Sequence, residues 1–339
     1  MKNLLVTGGC GFIGSNFINY IYDKSKYNII NFDAMYYCAN EKNVNENIRN
    51  SNNYILVKGN LCSHDLVNHV LFTHKIDEVI HFAAQSHVQN SFEDSLQFTH
   101  DNILGTHTLL EACRSYKKIK KFIHISTDEV YGESLLSDDE EKKNEYSILC
   151  PTNPYAATKA GAELIASSYR FSFKMPIIIT RGNNVYGPNQ YPEKLIPRFI
   201  KLLEENKKVT IQGDGSNVRA FLHASDVAGA LECILEKGVI GEIYNIGSDE
   251  DKEYTVLEIA EMLIRIIKRT DDYEKWISYV EDRPFNDLRY YISNEKVKNL
   301  GWEIKKDFME GLMELINIEP NYKNIKTSDS YNSFNEINI

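Results

Sequence analysis

Six cysteines among 339 residues include no C-x-x-C pair and stand beside no histidine cluster, so neither a zinc spacing nor a disulfide framework is suggested. Cys10, Cys38, Cys62, Cys113, Cys150 and Cys233 read as reduced thiols, mostly in the core. No apolar run approaches the length of a membrane span, and MKNLLVTGG is too short for a signal-peptide core. The expectation is a soluble, cytoplasmic chain without a membrane partner. Basic residues are also in deficit, 38 Lys plus Arg against 48 Asp plus Glu, for a formal charge of -10. That argues against nucleic acid as a partner, because a face for phosphate backbones needs a basic excess. An anionic small molecule is still admissible if a local basic cluster forms, with Lys194, Arg198, Arg219, Arg283 and Arg289 as candidates. No internal repeat is visible.

What the chain does have is apolar, β-rich runs alternating with helical patterns: NLLVTGG then FIGSNFINYIYD, NIINFD, YILVKGN then HDLVNHVLFTH, EVIHFAA, LGTHTLLEACRSY, and KFIHIST. Such alternation predicts βαβ units and a parallel sheet covered on both faces. After about Arg181 the pattern loosens, with helices expected at EKLIPRFIKLLEEN, VAGALECILEKG and TVLEIAEMLIRIIKR and a strand at VTIQG. The fold class expected is α/β: a Rossmann-type doubly wound parallel sheet over 1–181, rejoined by some later segments, and a smaller C-terminal substrate-binding lobe over 182–318. Residues 319–339 are polar and aperiodic and read as a mobile tail.

Gly8, Gly11 and Gly14 in TGGCGFIGS follow the first strand and open the first helix. Glycine there permits a tight turn and close approach of backbone to a pyrophosphate, with the helix N-terminus facing the anion. The second strand ends in Asp33, where a carboxylate takes ribose hydroxyls and repels a 2'-phosphate, so NAD is favoured over NADP. In EVIHFAAQSH, Ala83 and Ala84 are small where a dinucleotide crosses the strand ends, and Ser86 faces the same crevice. His81 and His87 lack a paired acid nearby in sequence and read as structural.

PYAATK sets Tyr155 and Lys159 one helical turn apart, on one face. A lysine so placed, with a cationic nicotinamide, lowers the phenol's pKa and makes Tyr155 a plausible base. ISTDEVYGE adds Thr127, Asp128 and Glu129 at the end of a buried strand. Neighbouring side chains on a strand point opposite ways, so both acids reach one ligand only if the strand stops at Thr127 and the chain turns. We expect that turn.

TGGCGFIG, STDEVYGE, PTNPYAATKAGAE, RGNNVYGPNQYPEKLIPRF, GDGSNVR and RPFNDLRY occur in that order. From Met1 to about Asn317 the chain resembles the extended short-chain dehydrogenase/reductases, within them the nucleotide-sugar 4,6-dehydratases, and most nearly the UDP-glucose 4,6-dehydratase domain of plant rhamnose synthases. The resemblance implies oxidation at carbon 4 of a hexose by Tyr155, Lys159 and Thr127. It further implies elimination of water across carbons 5 and 6, with Glu129 as base and Asp128 as neutral acid, then reduction at carbon 6 with NAD regenerated. Phe12, Ile13, Asn60, Leu61, Phe82 and Val185 would join the glycines, Asp33, Ala83 and Ala84 around NAD. Ser86, Thr127, Asn184, Lys194 and Leu195 would meet the sugar diphosphate, Ile211 and Gln212 the base, and Arg219 and Arg283 phosphate, whose oxygens suit the planar arginine fork. No metal is implied.

The chain departs from relatives at three places: Asn60 where many have Asp, Gln89 for a common Asp, and Asn286 where bacterial dTDP-glucose enzymes have His. The expected substrate is UDP-glucose, with dTDP-glucose as the alternative. Helices containing Asn102 to Tyr116 and Tyr155 to Tyr169 would form a homodimer interface. A related epimerase or decarboxylase is disfavoured by the Thr-Asp-Glu triplet, and a non-catalytic NAD sensor by retention of Tyr155, Lys159 and both acids.

Overall fold

A computed structural model describes residues 1–24, 26–137, 140–249, 252–282 and 285–317. Seven parallel strands form the main sheet: β1 (Lys2–Thr7), β2 (Tyr27–Asp33), β3 (Tyr54–Lys58), β4 (Glu78–His81), β5 (Lys121–Thr127), β6 (Ile177–Gly182) and, after three strands of the second lobe, β10 (Ile243–Ile246). Their spatial order is β10-β6-β5-β4-β1-β2-β3, all neighbours parallel. Chain order reverses beside β1, so the strand ends of β1 and β4 open a crevice where this class of sheet takes its ligand.

These strands are buried on both faces, which is why they read as unbroken apolar runs rather than alternating ones. Helix Phe12–Tyr22 packs Phe17, Ile18 and Ile21 against Val227, Leu231 and Ile234 of helix Ala224–Lys237 on one face. On the other face Val67, Val70 and Leu71 of helix His64–Thr73 meet Leu109 and Leu110 of helix Gly105–Tyr116, with Ala166 and Tyr169 of helix Pro154–Phe173. Each fully buried large side chain contributes about 1.5–3 kcal/mol.

Helix Ala224–Lys237 and β10 return from the second half to complete the sheet domain, so residues after 181 are divided between the two lobes. The smaller lobe holds β7 (Asn184–Tyr186), β8 (Val209–Gln212), β9 (Val218–His223), β11 (Glu253–Thr255) and β12 (Ile277–Val280), in sheets β11-β9-β7 and β12-β8. Its core joins Phe199 and Leu203 of helix Leu195–Glu204, Ile259 and Leu263 of helix Val256–Lys268, and Phe308 and Leu312 of helix Phe308–Asn317. The polar segment 319–339 lies outside the described residues. Among the described residues no helix is long and apolar enough to cross a membrane.

All six cysteines are free thiols, but only Cys10 and Cys113 are buried. The expectation of mostly core thiols is corrected: Cys38, Cys62 and Cys150 sit in loops, where backbone needs water, and Cys233 is half-buried on its helix.

Candidate active site

The glycine turn after β1 is built by steric necessity. Gly8 has φ +72°, and a Cβ there would stand 2.8 Å from the backbone of Ala83; one on Gly14 would stand 2.4 Å from Gly8 O. The turn delivers helix Phe12–Tyr22, whose N-cap makes no side-chain bond, so its first N–H groups are available to an anion. Asp33 at the end of β2 takes Cys10 N–H on Oδ2 and Met35 N–H on Oδ1, both at 2.8 Å. Burial nonetheless pushes its pKa above the usual carboxylate value.

One cleft is lined by Gly8, Gly11, Phe12, Ile13, Gly14, Asp33, Asn60, Leu61, Phe82, Ala83, Ala84, Ser86, Tyr155 and Lys159. Ser126 Oγ, on the same wall, is buried without a hydrogen-bond partner. An orphaned hydroxyl, a glycine cradle and a ribose-facing acid together fit NAD. Val185 is the middle residue of β7 and packs against the apolar core rather than among the residues that line this cleft. Asn60 spends its carbonyl on Cys62 N at 2.8 Å and donates its amide to the Tyr36 hydroxyl at 2.9 Å, so that oxygen is already half used.

β5 stops at Thr127, and Asp128–Tyr131 is a single 3₁₀ turn with Glu129 N–H directed at Thr127 Oγ1 at 3.4 Å. The turn required for two adjacent acids to share a site is present. Asp128 is buried, with Oδ1 accepting from Thr127 Oγ1 at 3.0 Å and Oδ2 from Asn183 Nδ2 at 2.6 Å. Burial first, and then Glu129, pushes its pKa to about 7 against the lowering effect of those two bonds. Glu129 takes Asn153 Nδ2 on Oε2 at 2.9 Å and is also raised, mainly by burial.

Tyr155 and Lys159 both stand on helix Pro154–Phe173, which starts where Asn153 Oδ1 caps Ala156 N–H at 2.9 Å and Pro154 presets the first turn. Burial and the Glu129 charge push the Tyr155 phenol well up, while the Thr127 hydroxyl bonds to it and opposes the rise. The Lys159 ammonium donates to Ile125 O at 2.6 Å, and burial brings its own pKa down to about 8. Lys194 and Arg219 partly offset the charge of Glu129, and Arg219 that of Asp128.

A second cavity adjoins, lined by Ser86, Glu129, Asn153, Asn184, Lys194, Leu195, Thr210, Gln212, Arg219, Asn286 and Tyr290 among others. Lys194 Nζ donates to Ser86 O at 2.7 Å. Arg219 reaches Asn286 Oδ1 at 3.2 Å and lies over the Tyr290 ring, 5.0 Å from its centroid. Ile211 is wholly buried in the lobe core, so its side chain does not face this cavity. Strand alternation exposes Thr210 with Gln212 instead. Arg283 lies outside the described residues.

His81 is buried between Thr7 and Thr106 hydroxyls at 2.7 and 2.8 Å, and burial lowers its pKa to about 3, a structural histidine. His87 differs from expectation, for Glu193 Oε2 lies 3.8 Å from its Nδ1; the acid is brought by the fold from far along the chain. Asn153, Asn183, Ser126 and Tyr290 escaped the sequence reading. Only Asn153 carried a local signal, an N-cap residue ahead of proline.

The GDP-mannose 4,6 dehydratase family model matches residues 5–315. A trifunctional UDP-glucose 4,6-dehydratase/UDP-4-keto-6-deoxy-D-glucose 3,5-epimerase/UDP-4-keto-L-rhamnose-reductase of Arabidopsis thaliana is 50% identical over 315 residues, 92% of this chain and 46% of the plant protein. The chain therefore spans about half the length of that relative. A human dTDP-D-glucose 4,6-dehydratase is 47% identical over 93% of this chain and 89% of its own. The crystal structure of dTDP-glucose 4,6-dehydratase from Bacillus anthracis in complex with NAD superposes with a TM-score of 0.84 at 42% identity, covering 93% of this chain and 96% of that one. By match and coverage, the chain belongs to the GDP-mannose 4,6-dehydratase family.

Proposed function

We propose that the protein is an NAD-dependent nucleotide-sugar 4,6-dehydratase that converts UDP-glucose to UDP-4-keto-6-deoxyglucose. The observation that carries this reading is the acid pair at the end of β5, each acid held by its own asparagine beside Tyr155. Oxidation and re-reduction at carbon 4 alone would need neither acid.

NAD, when bound, supplies the hydride acceptor for oxidation at carbon 4, the donor for reduction at carbon 6, and a ring cation. Gly8, Gly11 and Gly14 cradle it, Asp33 holds its adenosine ribose, and Lys159 faces its cleft. Tyr155 removes the proton of the carbon 4 hydroxyl. The resulting ketone acidifies the carbon 5 proton, which Glu129 takes as carboxylate. Asp128, with a pKa near 7, is available as the neutral acid that protonates the departing carbon 6 hydroxyl. Glu129 then returns a proton to carbon 5.

For the nucleotide, Lys194 and Arg219 supply the cationic surface for a diphosphate, and Gln212, Thr210 and Asn286 the polar wall for a base. UDP is our choice over dTDP on the likeness to the plant dehydratase. A uridine site that bonds the 2'-hydroxyl leaves a polar group unpaired when that hydroxyl is absent, at a cost of about 1–3 kcal/mol, or roughly tenfold in affinity. The human relative supports dTDP-glucose as the second reading. We also read the exposed Leu104, Leu164 and Phe171, near and on the long helices, as part of a face for a second copy of the chain.

Incubating the purified protein with UDP-glucose and with dTDP-glucose, and measuring loss of one water by mass, tests the reaction; kcat/KM on each decides the nucleotide. NAD should be needed in catalytic amount only. Accumulation of NADH in step with product would refute the redox-neutral cycle, and equal kcat/KM values would remove the UDP preference.

A further inference from the structure

Away from the two acids, the fold gathers three side chains of metal-ligand type that no local spacing announces. Cys62 lies in the turn between β3 and helix His64–Thr73, while His100 and Asp101 stand on the π-helical stretch Thr99–Leu104 that precedes helix Gly105–Tyr116. Cys62 and His100 are 38 positions apart in the chain. In space Cys62 Sγ is 3.7 Å from His100 Nδ1, that nitrogen is 3.1 Å from Asp101 Oδ1, and one donor atom of each residue lies within 4.8 Å of the others. Among the described residues this is the one such convergence of three.

We propose that Cys62, His100 and Asp101 form a zinc site at the rim of the cofactor cleft, with water in the fourth position. With Zn–S of about 2.3 Å and Zn–N and Zn–O of about 2.0–2.2 Å, a tetrahedral ion sets its donor atoms roughly 3.4–3.6 Å apart. The two measured edges, 3.1 and 3.7 Å, bracket that spacing. The third, at most 4.8 Å, closes with a side-chain adjustment of about 1 Å. A thiolate and an imidazole suit zinc and disfavour magnesium and calcium, which take oxygen ligands. The His100 side chain is 49% exposed and that of Asp101 8%, so an ion enters from solvent on the histidine side and meets the carboxylate at its back.

The ligands are also held from behind, as metal ligands need to be. Asp101 Oδ2 takes the Gln85 amide at 2.9 Å and Oδ1 the Tyr36 hydroxyl at 3.2 Å. That hydroxyl accepts from Asn60 Nδ2 at 2.9 Å, and Asn60 Oδ1 takes Cys62 N–H at 2.8 Å. One asparagine therefore ties the thiol arm of the site to the carboxylate arm. An aspartate at position 60 would take the Tyr36 hydrogen for itself and leave Asp101 without it. Without the ion, His100 Nδ1–H donates to Asp101 Oδ1. On binding, the thiol releases its proton to water, the imidazole presents its Nδ1 lone pair and carries its hydrogen on Nε2, and thiolate, carboxylate and Zn²⁺ leave no net charge. Cys62 and His100 line neither the cofactor cleft nor the substrate cavity, and Asp101 lines only the former, so the ion clips two segments together without touching the acids of the reaction.

The test uses Co²⁺ as an optical stand-in for Zn²⁺, on the purified full chain stripped with a chelator and kept under a non-thiol reductant. Wild type should bind about one Co²⁺ per chain, with the visible bands of a tetrahedral ion and a thiolate charge-transfer band in the near ultraviolet. Zn²⁺ should bleach both and Mg²⁺ neither. Cys62→Ser should remove the charge-transfer band, and Cys62→Ser and His100→Gln should each weaken Zn²⁺ by more than the ~10- to 100-fold that loss of an outer partner costs, measured by competition with a chromophoric chelator. Cys150→Ser, at an exposed thiol in another loop, should match wild type. A charge-transfer band that survives Cys62→Ser, equal competition by Mg²⁺, or no tetrahedral bands in folded wild type would each overturn the site. His100 is exposed, so His100→Gln keeps the question answerable if Cys62→Ser does not fold: unchanged Zn²⁺ affinity in that variant overturns the site as well.

Discussion

Asn183 donates its amide to Asp128 Oδ2 at 2.6 Å, while its carbonyl takes Ser248 N–H at 3.0 Å. The backbone bond fixes which end of the amide faces the acid. A donor aimed at a carboxyl favours its ionised form, so Asn183 holds the Asp128 pKa down from the higher value that burial alone would set. In Asn183→Ala the donor is lost and the neutral form of Asp128 persists to higher pH. If neutral Asp128 is the acid, the alkaline limb of the kcat profile, near pH 7 in wild type, should move up by about one unit, as expected for a hydrogen bond to a charged group worth about 1.5–3 kcal/mol. An unmoved limb in a folded variant would show that Asp128 does not set it.

Glu129 is the second acid, and its partner Asn153 does two jobs, bonding Oε2 at 2.9 Å and capping Ala156 N–H at 2.9 Å. Glu129→Gln should still oxidise carbon 4 but suppress deuterium entry at carbon 5 from heavy water, with turnover down ~10² to 10⁴. Asn153→Ala should cost about 1 kcal/mol of stability through the lost cap and, in addition, raise the pH at which Glu129 loses its proton, shifting the acidic limb upward. Normal isotope entry in Glu129→Gln would remove its role as base.

At the cofactor end, Asp33 is held by Cys10 and Met35 N–H groups, both at 2.8 Å, and faces the cleft with its remaining lone pairs. Asp33→Ser should weaken NAD binding by roughly tenfold, about 1.4 kcal/mol for one charge-assisted bond, and weaken NADP binding less or even improve it. Titration of the purified variant with each dinucleotide, following protein fluorescence, reads the change in preference directly. An unchanged NAD affinity would place the ribose elsewhere.

Local features were legible in the sequence for a physical reason. The glycine turn, the acid ending β2, the Thr-Asp-Glu turn and the Tyr155–Lys159 spacing are each decided within a few residues, by sterics or helical period. The partners that tune those groups were not. Asn183 lies 55 positions from Asp128, and Glu193 meets His87 only because the second lobe folds over the first. Ile211 is a different kind of miss: VTIQ alternates, and two apolar residues flanking Thr210 already place Thr210 and Gln212 together on the other face. For Lys159 the sequence gives the distance from Tyr155 along the helix but not the Ile125 carbonyl that takes its ammonium.

Asp128 is also the place where stability and chemistry oppose one another. Its folded-state pKa is about 7 against 3.8 for the ordinary side chain. A carboxyl whose pKa is raised by folding binds its proton more tightly in the native state. Below about pH 4 it is protonated in both states and costs nothing; as pH rises through the interval to about 7 the unfolded chain ionises freely while the folded one cannot, and stability is lost. Asp128→Asn removes the charge and keeps the bonds, since its carbonyl accepts the Asn183 amide and its own amide donates to Thr127 Oγ1. The variant should therefore melt at nearly the wild-type temperature at about pH 4 and several degrees higher at about pH 8, a gain on the order of 2–4 kcal/mol. The same variant should lose elimination by ~10² or more while still oxidising carbon 4. Thermal melts across the pH range provide the check: a stability difference independent of pH would mean that Asp128 ionises in the folded protein as readily as in water, and the neutral acid assigned to it would have to be another group.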